Sequence, residues 1–432
     1  MKRKVALFVA LTMTAATLIS CGDNNTKQEP EVQSSQVETE ENEQEVIDSQ
    51  PQTAPTYATT SVAYEDGSQY FTGSAQCIQI TDSEHPNLAK AVDKKFSEIV
   101  KGFNKTANEF VKEADEANDS NSLNEDVEND EDMVFNYSYY IYAEVTRADS
   151  QIFSVKLTQE IYTGGAHGSH VVDGYVFDSK TGELLSLEQM GVDSNVVRDF
   201  VLDTIESSDD SAKEMLFDEY KESIDTDFEN PEDSLGIWLD NRGVVVAFQE
   251  YDIAPYAAGL VQFTVPYSQL SVFNKEYIPT EDSYYSFELS NLGLVERVDL
   301  DGDGQLEDMS LVCTYIPDNN GFSTYTLNVN DISSEIISGE KPDGYSYATA
   351  YFVHRKDGNF IMTSMSGEAD IYLTKLYKYD AGKLREVGSE KLGVKNVTEE
   401  YVELAGSSEE MYDDGTAPKF EYDNTGFTEK EK

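Results

Sequence analysis

Positive charge, cysteine and tryptophan are all scarce in this chain. Its 432 residues carry 31 Lys+Arg against 83 Asp+Glu, a formal net charge of −52, with three cysteines and one tryptophan. Phosphate binding needs stripes of Lys and Arg, so the balance argues against nucleic acid as a partner. It argues equally against adhesion of the folded part to anionic lipid headgroups. Cys21, Cys77 and Cys313 are too few and too widely spaced for a disulfide framework. Catalytic signatures are missing as well: there is no G-x-S-x-G, P-loop, H-E-x-x-H or G-x-G-x-x-G. With so many acids, a carboxylate pair for glycan hydrolysis carries no information without geometry. What the chain does hold is 39% hydrophobic residues, 27 Tyr and 20 Phe, which is the material of folded domains rather than disorder. Cationic partners and divalent metals are the natural ligands of such a charge.

The first residues point to the compartment. Lys2, Arg3 and Lys4 precede an apolar run from Val5 to Ile19. The run is too short for a span of roughly 20 residues and reads as a secretion signal. Its end, Leu18-Ile19-Ser20-Cys21, resembles the lipobox of bacterial lipoproteins, which implies lipidation at Cys21 and a mature chain beginning there. Loss of Lys2, Arg3 and Lys4 moves the formal charge from −52 to −55. No second hydrophobic span follows, so the expectation is an extracytoplasmic, lipid-anchored protein of the cell envelope, touching membrane through its anchor alone. Residues 21–56 are rich in Glu, Gln, Ser, Thr and Pro and cannot bury enough surface to order themselves; they read as an acidic tether.

Residues 57–280 read as one α+β domain, a mixed antiparallel sheet with packed helices. Strand-like patterning up to about Ile80 gives way at Pro86 to a helical stripe of Leu88, Val92, Phe96, Ile99, Phe103, Phe110 and Ala114. That stripe reads as core packing. The run Glu113–Asp132, ten acids and no base, reads as a solvated loop. Phe135–Val145 and Ile152–Tyr162 read as paired strands. Next come Tyr162-Thr-Gly-Gly-Ala-His167-Gly168, Tyr175-Val-Phe-Asp178, and later Tyr251-Asp-Ile-Ala-Pro-Tyr256-Ala-Ala-Gly259 with Val261–Leu270. This succession resembles the extracytoplasmic domain shared by RsiV-type anti-sigma factors, which sense lysozyme, and PdaC-type peptidoglycan deacetylases. The resemblance covers roughly Tyr57 to Tyr277 and implies a mixed sheet with packed helices and a binding role. Only Met1–Lys4 precede the apolar run, and no deacetylase catalytic domain accompanies the motifs, so neither sigma-factor control nor deacetylation is expected. His167 and His170 form an HxxH without an obvious third ligand; a glycine-rich turn, with Gly164, Gly165 and Gly168 supplying backbone freedom, is the simpler reading.

Residues 281–407 read as a small, mostly-β domain of blade-like hairpins, and 408–432 as a frayed acidic tail. Asp299-Leu-Asp301-Gly-Asp303-Gly-Gln305-Leu-Glu307-Asp308 sets carboxylates at positions 1, 3, 5 and 9 of a tight loop. Ca²⁺ takes six to eight oxygens, so the pattern points to a structural calcium site with Asp299, Asp301, Asp303, Gln305 (through its carbonyl) and Glu307 as ligands. Whether Asp308 replaces Glu307 is left open by the spacing. An EF-hand needs Glu at position 12, which is Ser310, and its flanks would be helical; here they are strand-like. The loop resembles the calcium loops of FG-GAP and VCBS-type β repeats. A weaker second unit, Tyr351–Asn359 with Asp357-Gly-Asn359, has lost the alternating carboxylates and is not expected to hold metal. The functional expectation is a non-enzymatic, lipid-anchored envelope binding protein recognising a cationic protein such as lysozyme or a cell-wall component. The alternative is an envelope hydrolase acting through an unrecognised carboxylate site.

Overall fold

The computed structural model describes residues 53–65, 68–122, 134–280, 284–290, 292–315, 323–339, 344–367, 370–380, 382–412 and 417–430. The signal segment, Cys21 and most of the tether lie outside these. The first sheet has the order β1 (Tyr57–Ala63), β2 (Phe71–Ile80), β3 (Tyr137–Ala148), β4 (Ile152–Tyr162), β5 (Ser169–Asp178). All its pairs are antiparallel except β2/β3. A parallel pair needs a long crossover, and α1 (Pro86–Ser122) supplies it. Proline at the first helical position is pre-set for helix and has no N–H to leave unpaired. The expected stripe faces the sheet: Leu88, Val92, Phe96 and Phe103 are buried, packing with Ala75, Tyr139, Ile141, Val155, Leu157 and Phe177, and Ala114 is buried further along. The mixed sheet with packed helices is thus as expected.

Two expected boundaries move. The acidic run from Glu113 is not loop at its start, because α1 continues to Ser122. Ala114 extends the buried stripe, while Glu113 and Glu116 lie off it and Lys112 pairs with Glu116 one turn on. Charge on the outward face of an amphipathic helix does not end it. At the other end, Thr53–Thr56 were expected in the tether but are held to the domain. The Thr53 carbonyl meets Nε2 of buried His85 at 3.1 Å, and the Thr56 N–H donates to Asp82 at 2.7 Å.

Short helices follow: α2 (Leu187–Met190), α3 (Ser194–Ser207), α4 (Asp210–Lys213), α5 (Tyr220–Asp227) and α6 (Pro231–Ser234). They lead to a three-stranded sheet, β6 (Gly236–Leu239), β7 (Gly243–Ala247) and β8 (Gln262–Pro266). It packs on the face of the first sheet opposite α1. Leu239 N–H donates to Ser154 Oγ at 3.0 Å, and Val172 packs with Trp238 and Val245. Its far side shares a core with α3 and α5 through Val201, Ile205, Ile224, Val244 and Val246.

The β-rich region stacks three sheets. One holds β10 (Glu296–Val298), β11 (Glu307–Tyr315), β12 (Ser323–Val329) and β13 (Ile332–Ile337). The middle one has the order β17 (Lys383–Glu390), β16 (Ile371–Asp380), β15 (Gly358–Gly367), β14 (Tyr345–Arg355), β9 (Tyr285–Glu288). The third holds β18 (Gly393–Val397), β19 (Val402–Ala405), β20 (Lys419–Asp423) and β21 (Gly426–Glu429), with α7 (Ser408–Tyr412) between its inner strands. Alternation along β14 and β15 divides the middle sheet between two cores: Phe352 and Ile361 face the first sheet of the stack, Val353 and Phe360 the last. The tail expected to fray from 408 is therefore structural. Phe420 and Tyr422 are buried, and Tyr422 is packed edge-on against Phe360. Period-two apolar residues in β20 give the burial its reason. Cys77 is buried, Cys313 is exposed, and both are free thiols.

Candidate functional site

The acidic loop closes the β10–β11 hairpin, where Val298 pairs with Glu307. Gly302 and Gly304 stand at φ +81° and +87°, the left-handed region that favours glycine. These reversals gather Asp299, Asp301 and Glu307, with one carboxylate oxygen of each within 4.8 Å of the others. Asp299 accepts the N–H groups of Gly302 (2.7 Å) and Gly304 (3.0 Å). Glu307 is buried and accepts the Leu300 N–H at 2.7 Å. Burial, and then the charges of Asp301, Asp299 and Asp303, push the Glu307 carboxyl above its ordinary range. Hard oxygen donors crowded this way fit a divalent cation.

The five expected ligands do not act alike. Asp303 accepts both the backbone N–H (2.7 Å) and the side-chain amide (2.9 Å) of Gln305, so this pair stands apart from the group of three. Of the two neighbouring acids, Glu307 joins the group of three, while Asp308 is ion-paired with Arg297 at 3.0 Å. One contributor was missed in the sequence. Asn359, on the β14–β15 hairpin, donates from Nδ2 to the carbonyls of Asp299 (3.0 Å) and Leu300 (3.1 Å), and its Oδ1 meets His354 Nδ1 at 2.6 Å. The degenerate second loop thus buttresses the first. Its Asp-Gly-Asn pattern was visible; its destination, 60 residues back, was not.

A second constellation assembles the two motifs of the α+β domain. Gln249 and Glu250 follow β7 and seal the outer edge of β5. Val172 N–H donates to Gln249 Oε1 (3.0 Å), Gln249 Nε2 donates to the Val172 carbonyl (2.9 Å), and His170 N–H donates to Glu250 Oε2 (2.9 Å). Two side chains here replace a neighbouring strand. Buried Glu250 also meets His170 Nδ1 at 2.6 Å, while His170 Nε2 meets Glu160 at 3.2 Å. Burial lowers the His170 pKa, but hydrogen bonds to Glu250 and Glu160 outweigh it and the net direction is up, favouring the imidazolium.

Between these clamped residues and the turn, Tyr251 sits at φ +69°, a conformation that costs a non-glycine residue about 1–3 kcal/mol. Its hydroxyl reaches His167 Nε2 at 3.1 Å. His167 Nδ1 faces the Gly168 carbonyl at 2.7 Å and so donates to it. The His167 ring stacks on Tyr256 at 3.9 Å and 18°. Among the described residues neither histidine joins a group of three metal-ligand atoms. The glycine turn carries Gly164 and Gly165 at positive φ, and its His167 packs on the Tyr256 ring.

Comparison with known proteins places both motifs. Residues 64–170 match the family model described as deacetylase PdaC, and residues 195–268 match that of a protein family of unknown function, DUF3298. His167 and His170 fall in the first segment; Glu250, Tyr251 and Tyr256 fall in the second. The matches support a PdaC-type domain of the kind found outside the cytoplasm, in the cell envelope. No curated protein matches the chain. Among solved structures, a DUF3298 family member from Bacteroides fragilis is 16% identical, with a TM-score of 0.41, covering 52% of this chain and 96% of its own. A DUF3298 family protein from Pseudomonas aeruginosa is 16% identical with a TM-score of 0.32, covering 52% and 98%. Among the described residues no helix is long and apolar enough to cross a membrane.

Proposed function

We propose that this chain is a binding protein of the bacterial cell envelope that acts without turnover. In this reading it is fastened by an acyl chain at Cys21 and carried at the end of its acidic tether. A structural calcium ion at Asp299, Asp301 and Glu307 stiffens the β-rich region. Its ligand is a cationic protein such as lysozyme or a peptidoglycan-related component. The observation that carries the binding role is the convergence of two motifs, 80 to 84 residues apart, on an exposed surface of rings rather than on reacting groups in a cleft. Each motif lies in one of the two family-matched segments. A chain at −52 would also draw a basic partner to it by steering.

Two measurements test the reading. Detergent phase partitioning should place the wild-type protein with the lipid phase and Cys21→Ser in the aqueous phase. Purified protein should bind lysozyme or peptidoglycan sacculi without consuming the wall polymer. Recovery of released or deacetylated glycan would replace the binding reading with an enzymatic one, and binding to neither probe would remove the stated ligands.

A further inference from the structure

The three-stranded sheet covers only part of the first sheet's face opposite α1. The residues left uncovered on β3, β4 and β5 form a continuous row. Register sets Tyr140 opposite Glu160 and Glu160 opposite His170, so these three share a face. Tyr142, two residues along β3, joins them: its ring stacks with that of Tyr140 at 6.2 Å and 28°, and 42% of its surface is exposed. Burial, and then the nearby charge of Glu160, push the Tyr142 hydroxyl above its ordinary range. Glu160 bonds His170, and the His170 ring lies 6.3 Å from Tyr256 at 23°. His167 covers one face of Tyr256 and leads to Tyr251, which is 48% exposed.

Resting on the peptidoglycan-related reading above, we infer that this row is a saccharide-binding platform on which the rings of Tyr140, Tyr142, Tyr251 and Tyr256 stack against the C–H faces of a neutral N-acetylated glycan strand. Two features favour a neutral glycan over a cationic segment. Both carboxylates are already committed to His170: Glu250 gives it both oxygens and Glu160 meets its Nε2. The imidazolium that these bonds favour offsets one of their two charges, so a Lys or Arg would have to break existing ion pairs to be recognised here. Aromatic faces are what the row leaves available, and a pyranose offers apolar C–H on its faces with hydroxyls at its rim. The Tyr251 hydroxyl, bonded to His167, keeps lone pairs to accept from those hydroxyls. The strained Tyr251 has a purpose in this arrangement. Gln249 bonds Asp252 at 2.8 Å and Glu250 bonds His170, so the backbone is fixed on both sides and the ring is presented rather than buried.

Titration calorimetry of the full-length protein with chitotetraose tests the platform. Binding is expected, and Tyr142→Ala and Tyr251→Ala, both at exposed positions, should each weaken it at least tenfold; Tyr347→Ala, equally exposed elsewhere, should not. Polylysine serves as the cationic probe. If polylysine binding, but not chitotetraose binding, depends on Tyr142 and Tyr251, the surface recognises a cationic partner and the inference is overturned. Chitotetraose binding unchanged in both variants overturns it too, as does absence of binding. Sacculi pull-down with the same variants separates the two levels: retained wall binding leaves the parent reading standing and removes the platform from it, whereas no wall binding by the wild type removes both.

Discussion

Asp301→Asn should affect the stability of this protein in opposite directions with and without calcium. In chelator, Asp299, Asp301 and Glu307 hold oxygens within 4.8 Å of one another. Two unit charges at that separation repel by about 1 kcal/mol in water, and more beside a buried group such as Glu307. Removing one charge relieves two such pairs, so the variant should melt slightly above the wild type. With calcium the order reverses. Extracellular calcium modules bind at about 10⁻⁴–10⁻³ M. At about 10 mM calcium, 10 to 100 times such a Kd, an ion that binds only the folded state stabilises it by about 1.4–2.7 kcal/mol. For a unit of about 150–250 residues each kcal/mol moves the melting temperature by about 2–4 °C, so the wild type should gain about 3–10 °C. The variant should gain much less. Calorimetric scans of both proteins in both conditions give the four numbers required. Coincident wild-type curves, or a variant displaced equally downward in both conditions, would refute the reasoning.

Asn359→Ala leaves two loop carbonyls without their donor; it should cost about 1–2 kcal/mol and weaken calcium binding, read by denaturation and by titration of the ion. His170 has a raised pKa, so the stability it contributes is fully present below its unfolded value and is lost as pH rises through the folded one. His170→Gln should therefore destabilise the protein near pH 5.5 and matter less near pH 9, checked by urea midpoints. Asp227 follows the same pH trend, but as a penalty to remove rather than a gain to lose: burial, and then the charge of Asp252, push its carboxyl up to about 7, and its Oδ2 is buried without a hydrogen-bond partner among the described residues. Ionising it opposes folding as pH rises above its unfolded value, so Asp227→Asn should raise the melting temperature at pH 8 and leave it nearly unchanged at pH 5.

Local pattern was sufficient for much of the architecture. Helix α1 declares itself by a stripe at three- and four-residue steps, and the strands around it by alternation and β-branched content. The acidic loop is legible because its alternating acids and glycines lie within ten residues, where spacing and geometry are nearly the same thing. Pattern failed where two local signals competed. Charge in 113–122 was read as loop although the buried stripe ran on through Ala114, and acids in 408–432 obscured the alternation of Phe420 and Tyr422.

The chain order of residues thus determined the amphipathic helix and the bend that collects Asp299 and Asp301. Tertiary structure alone decided that Glu250 reaches His170 across 80 residues and that Asn359 braces a loop 60 residues away. Those contacts join segments whose separation in sequence carries no periodic signal. They arise because sheets must bury a face and seal an edge against whatever part of the chain arrives there.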